Sequence, residues 1–190
     1  DGVKEVARSF FAKLFQSYSF FAMYANVDGF DNSAPQVPYA QRPEIDRWIL
    51  SELNTLVKNV AADFEDYEPT RAGRKIEAFV IDNLSNWYVR LNRNRFWAGT
   101  MDADKLSAYQ TLYACLLTVS KLMAPIAPFY ADRLYKDLTA GCQAADSVHL
   151  AEFPKVDETM IDSELEASME MAQKITSMVL SLRKKEHIIV

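Results

Sequence analysis

Between Asn86 and Trp97 the chain reads Asn86-Trp87-Tyr88-Val89-Arg90-Leu91-Asn92-Arg93-Asn94-Arg95-Phe96-Trp97, interleaving arginine, asparagine and aromatic side chains without an acid. Guanidinium groups meet phosphates, carboxamides read base edges and planar rings stack on unpaired bases, which is the residue set that single-stranded RNA recognition draws on. Charge is segregated around this stretch. Residues 71–97 hold six basic side chains against Glu77 and Asp82, a local net of +4, within a chain that carries 21 basic and 26 acidic residues and a net charge of −5. Residues 152–170 oppose it with seven acids against Lys155 alone, a local net of −6. The candidate RNA contacts are Arg90, Arg93, Asn94, Arg95 and Trp97, with Arg71, Arg74 and Lys75 on the same predicted helix as a second set. Arg183-Lys184-Lys185 is a third basic cluster. These arginines are expected on the surface, where reversing Arg93 or Arg95 would weaken RNA binding and leave the fold intact. A competing reading makes the same pattern a solvated helix face, or arginines braced by acids of a neighbouring helix. Trp48, Trp87 and Leu91 fall on predicted core stripes, and Trp97, at a helix end beside Arg95, suits either role.

Other chemistry finds few carriers. His149 and His187 are the only histidines, without Glu-x-x-His or His-Glu-x-x-His spacing, so no metal centre is expected. No Gly-x-x-x-x-Gly-Lys or Gly-x-Gly-x-x-Gly cradle occurs among five glycines, and no nucleophile stands in a recognisable triad. Catalysis within this chain, and any cofactor of its own, are therefore not expected. Cys115 and Cys142 form no paired motif; Cys115, inside an apolar helical run, is read as a small buried side chain, and a reducing cytoplasm suits the pair. No run of 18 apolar residues exists, and Lys4, Glu5, Arg8 and Lys13 interrupt the apolar start, so neither a membrane span nor a signal peptide is expected.

The elements that must carry these residues are helical. Five glycines and seven prolines in 190 residues leave room for few turns, hence few and long elements. Apolar residues at three-and-four spacing predict helix one from Val3 through Ala7, Phe10, Phe11, Leu14, Phe15, Tyr18 and Phe21. The proline- and glycine-marked stretch from Asn26 to Pro43 predicts a long loop. Helix two follows with Ile45, Trp48, Ile49, Leu53, Leu56, Val60 and Phe64. Helix three runs from about Pro69 to Trp97 with a stripe of Ala72, Ile76, Val80, Leu84, Trp87 and Leu91. Helix four, from about Asp102 with a stripe of Leu106, Tyr109, Leu112, Tyr113, Leu116, Val119 and Met123, is stopped or kinked at Pro125 and Pro128, and helix five, carrying Ala131, Leu134, Tyr135 and Leu138, ends near Gly141. Residues 142–161 cross as loop or short extended chain, and Asp162 caps a sixth helix striped by Leu165, Met169, Ala172, Ile175, Val179 and Leu182. The expected fold is all-α, an irregular antiparallel bundle of about five to six helices. Its stripes are expected to close on one another in a monomer. The chain opens on Asp1-Gly2-Val3 within a helical pattern and stops at Ile188-Ile189-Val190 within an apolar run, which reads as a piece of a longer polypeptide with an apolar patch near Val190.

The Asn86–Trp97 stretch resembles the Asn-Trp-Tyr-hydrophobic-Arg and Arg-Phe-Trp signature of the anticodon-binding helical domain of isoleucyl-tRNA synthetases, class I aminoacyl-tRNA synthetases. Tyr18-Ser19-Phe20-Phe21 through Tyr24-Ala25-Asn26-Val27-Asp28-Gly29 resembles the helix and loop that follow the family's catalytic domain. Asp46-Arg47-Trp48-Ile49-Leu50-Ser51 resembles the opening of its anticodon domain. Tyr67-Glu68-Pro69-Thr70-Arg71-Ala72, Leu122-Met123-Ala124-Pro125-Ile126-Ala127-Pro128-Phe129 and Ser147-Val148-His149-Leu150 match in order. The resemblance implies a linking helix and loop over 1–42, an anticodon-binding bundle over 43–161, and a helix over 162–190 leading toward a further C-terminal region. It also implies a cytoplasmic parent enzyme that activates isoleucine with ATP and Mg and transfers it to tRNA, this bundle gripping the anticodon stem-loop. The family's His-Ile-Gly-His and Lys-Met-Ser-Lys-Ser signatures are absent from the chain, so it is expected to be inactive alone. Two other readings stand beside this one: the anticodon domain of the related valine enzyme, and a helical protein-interaction module.

Overall fold

Proline and aspartate open most of the helices. The structure, a computed structural model, describes residues 2–97 and 99–186, so that His187, Ile188, Ile189 and Val190 lie outside the described residues. Helix α1 covers residues 2–28 as Gly2–Val6, a π-helical turn Ala7–Phe11, and Ala12–Asp28. α2 is Glu44–Glu65, entered from Pro43 with Glu44 and Asp46 in its first turn, where acids favour the helix dipole. α3 covers residues 69–97 without a break: Pro69–Ala78, a π-helical stretch Phe79–Val89, and Arg90–Trp97. α4 is Ala103–Met123, capped by Asp102, whose carboxylate accepts from the Lys105 amide at 2.8 Å. α5 is Pro128–Thr139, with Pro128 in the first turn. α6 is Ser163–Lys185, where Asp162 accepts from the Leu165 amide at 3.0 Å, the cap expected of it. The all-α bundle expected from periodicity, with about five to six helices, is observed with six among the described residues.

α4 is the centre post. Ala108, Tyr109, Leu112, Cys115, Leu116, Val119 and Leu122 are fully buried, with Trp48 and Ile49 of α2, Ile76, Leu84, Tyr88 and Phe96 of α3, and Leu14 of α1. Each large side chain so removed from water is worth about 1.5–3 kcal/mol. A chain of rings ties three helices and a loop together: Phe20 of α1 meets Phe96 edge-on at 5.0 Å, Phe96 meets Tyr109 of α4 at 4.9 Å, and Phe30 stacks on Tyr109 at 5.1 Å. The loop after α1 is pinned by the Gln110 carboxamide, which accepts from the Val37 amide at 2.9 Å and donates to the Pro35 carbonyl at 3.0 Å. Arg42 adds a 2.7 Å bond to Thr111.

Four expectations change. α1 runs past Asn26 to Asp28, because Gly29 takes the left-handed conformation at φ 64° and its amide returns to the Ala25 carbonyl, so the Asp-Gly pair ends a helix rather than lying within a loop. Phe15, placed on the α1 stripe, is exposed. The second half of the α6 stripe, Ile175, Val179 and Leu182, is exposed too, since only the first turns of α6 lie over α2. In α3 the face itself moves. The stripe holds through Ala72, Ile76, Val80 and Leu84, then passes to Tyr88, Asn92 and Phe96 instead of Trp87 and Leu91. A π turn takes in one residue more than an α turn, so after it each inward position falls one residue later. Leu91 is consequently 55% exposed and Trp87 only half-buried against the core.

Candidate nucleic-acid interface

That shift decides what the tip of α3 shows to solvent. Asn86, Arg90, Arg93, Asn94 and Trp97 are all exposed, at spacings of three and four residues along one face, with Trp97 56% accessible. Arginine, asparagine and an aromatic ring thus stand together on one rigid helix end, and Asn86, not singled out by residue type, joins them one turn earlier. The signal that would have found it is the four-residue step to Arg90.

Arg95 is absent from this face. Its side chain is 15% exposed and pairs bidentately with Asp46 of α2, Nη1 to Oδ1 at 2.6 Å and Nη2 to Oδ2 at 2.9 Å. It also donates to the Asp104 carboxylate at 2.8 and 2.9 Å, to the Asp104 carbonyl at 2.8 Å and to Asn92 Oδ1 at 3.0 Å. The expectation of an exposed charge at Arg95 fails because the π stretch turns it toward α2 and α4. Asp46, fully buried, accepts further from the Tyr88 hydroxyl at 2.8 Å and the Ser107 hydroxyl at 2.5 Å. Burial works against the charge of Arg95, but the hydrogen bonds from Asp46 and Asp104 outweigh it and raise the guanidinium pKa above its ordinary value. Burial, and then the Asp46 charge, hold the Tyr88 phenol well above its usual range, so it stays a donor. Breaking such a buried pair by removing one partner typically costs about 3–5 kcal/mol.

The second candidate set lies toward the other end of α3, from about 22 Å (Lys75) to about 28 Å (Arg71) from Arg90 at 1.5 Å per residue. Lys75 pairs with the buried carboxylate of Asp63 at 2.7 Å, and Arg71 spans Asp63 at 3.4 Å and Asp66 at 3.3 Å. Arg74 is exposed on the rim of an apolar cavity of about 430 Å³ bounded by Phe10, Phe11, Ile76 and Ile126. The structure therefore does not bring the two sets into one patch. Arg183, Lys184 and Lys185 occupy the last turn of α6, where cations suit the helix dipole. The acidic segment serves α2 rather than the α3 tip: Glu166 accepts from Ser51 at 2.5 Å and Thr55 at 2.8 Å, and Glu158 pairs with Lys58 at 3.0 Å. Cys115 is buried and Cys142 exposed. Among the described residues no group of three or more His, Cys, Asp or Glu side chains is placed to hold a metal ion, and no helix is long and apolar enough to cross a membrane.

Fold and site together define an all-α bundle with a basic, ring-bearing helix end. Residues 46–189 match the family described as the anticodon-binding domain of tRNA ligase, and the chain belongs to that family. It is 66% identical over 190 residues to an isoleucine–tRNA ligase of Bacteroides thetaiotaomicron, covering 99% of this chain and 16% of that protein. It is 65% identical to the isoleucine–tRNA ligase of Porphyromonas gingivalis, covering 97% and 16%, and 59% identical to that of Cytophaga hutchinsonii, covering 99% and 17%. The chain spans about one sixth of the length of these curated relatives.

Proposed function

We propose that this chain is the part of an isoleucine–tRNA ligase that holds the anticodon stem-loop of its tRNA, and that Asn86, Arg90, Arg93, Asn94 and Trp97 make the contact. The observation that carries the reading is the convergence of these five exposed side chains on one face at the end of α3. Arg90 and Arg93 would neutralise phosphates and fix register, while Asn86, Asn94 and Trp97 would meet unpaired bases by carboxamide hydrogen bonds and stacking. Arg71, Arg74 and Lys75 would act on a separate stretch of the tRNA, since the length of the helix divides them from the tip. Arg95 supports the site from within. The parent enzyme would be cytoplasmic and would use ATP and Mg to activate isoleucine at a centre outside this chain. The grip described here would align the acceptor end with that centre, so binding energy serves orientation. Residues 1–42 would link toward the catalytic part, 43–161 form the anticodon bundle and 162–190 lead onward.

Gel mobility with an unmodified isoleucine anticodon stem-loop tests this. A salt-sensitive shift, competed less well by a valine stem-loop, is expected. No shift at low salt would favour a protein-interaction module, and stronger competition by the valine loop would favour the valine enzyme.

A further inference from the structure

The tip of α3 has two ways of facing the core. Continued at uniform α pitch from Ile76, Val80 and Leu84, it would bury Trp87 and Leu91; the π stretch instead buries Tyr88, Asn92 and Phe96. Apolar side chains stand on both candidate faces, so burial of apolar area alone discriminates weakly between them. A buried charge discriminates strongly, because only a register that pairs it is tolerable. Asp46 is such a charge. It is fully buried on α2, and three of its four bonds come from the observed register of α3: the two Arg95 nitrogens at 2.6 and 2.9 Å and the Tyr88 hydroxyl at 2.8 Å. Ser107 of α4 supplies the fourth at 2.5 Å. Asn92 completes the arrangement, its amide donating to the Tyr88 carbonyl at 2.7 Å and its Oδ1 accepting from Arg95 at 3.0 Å.

Resting on the reading of the α3 tip as an RNA site, we propose that Asp46 is a positioning residue for RNA binding: its grip on Arg95 holds α3 in the register that sets Asn86, Arg90, Arg93, Asn94 and Trp97 on one exposed face. Asp46 has no exposed surface and does not touch RNA itself. Its effect passes through Arg95, which shares the last turns of α3 with Arg90 and Arg93, so fixing the rotation of one fixes the direction of the others.

A double-mutant cycle tests this on the chain as it stands. The parent, Arg93→Ala, Asp46→Asn and the double variant are titrated with a synthetic isoleucine anticodon stem-loop at several salt concentrations, with circular dichroism on each. Arg93→Ala should weaken binding and lower the salt slope by about 0.7. Asp46→Asn should weaken binding about tenfold with helical content retained, and Arg93→Ala should then cost little more, because the contact it removes is no longer held in place. Additive losses, or an Asp46→Asn protein that binds like the parent, overturn the proposal. If Asp46→Asn does not fold, Arg95→Lys takes its place in the cycle, keeping the buried charge paired while losing the second arm of the fork. An Arg93→Ala protein that binds like the parent sinks the RNA reading of the tip itself, an outcome distinct from failure of Asp46 alone.

Discussion

Arg93 and Arg95 differ by two positions and by almost everything that determines what a substitution does. Arg93 is exposed, so Arg93→Glu should change stability by no more than about 0.5 kcal/mol while weakening stem-loop binding. Arg95→Glu would place a third carboxylate against Asp46 and Asp104 and should destabilise the fold by about 3–5 kcal/mol, read as a fall in the urea midpoint. Equal urea midpoints for the two variants would contradict the buried pairing. Trp48→Ala should cost about 3–5 kcal/mol, and Trp87→Ala less, since the π stretch leaves Trp87 only half inside. Residue type marked this stretch as basic and aromatic, yet could not separate the two arginines. The partner that claims Arg95 lies 49 positions away, and both members of the pair are residue types ordinarily found on the surface.

Among the elements, α6 has a hold on the bundle that depends on protons near neutral pH. Glu52 of α2 is pushed up to about 7, first by burial and then by the Glu166 and Glu170 carboxylates of α6, while a 3.2 Å bond from the Trp48 indole works the other way. Lys174 is occupied with Glu170 at 2.5 Å, and Lys75 on α3 with Asp63. The folded protein therefore holds the Glu52 proton more tightly than the unfolded chain does, and its stability should fall as pH rises from about 4.5 through 7. After screening by water the change should be about 1–2 kcal/mol. Glu52→Gln should remove that part of the decline, measured by urea unfolding on either side of neutrality; an unchanged decline would assign it to other groups. Helical periodicity was sufficient to place α2, α4 and α5 and their buried faces, since these keep uniform pitch. It misplaced the tip of α3 because a stripe template assumes 3.6 residues per turn throughout, and it overextended the core of α6 because an apolar stripe does not reveal how far a neighbour reaches.

For the whole molecule, the chain carries none of the family's catalytic signatures, and a pure sample should support no isoleucine-dependent pyrophosphate exchange. Measurable exchange would place catalytic groups within these 190 residues. Sedimentation at micromolar concentration should show a monomer, the apolar second half of α6 notwithstanding. The π stretch of α3 sets its own condition on this molecule. In a helix, such a stretch is equivalent to one inserted residue, and deleting one position between Phe79 and Val89 would let ordinary four-residue bonding run through. The shortened helix would be the more regular one. It would also keep Tyr88, Asn92 and Arg95 facing as they do now, because the residue removed and the wide turn removed cancel; straightening the helix at its present length would instead swing everything after it by about 100° and leave Asp46 without its fork, so that at this length local regularity and a working tip are alternatives.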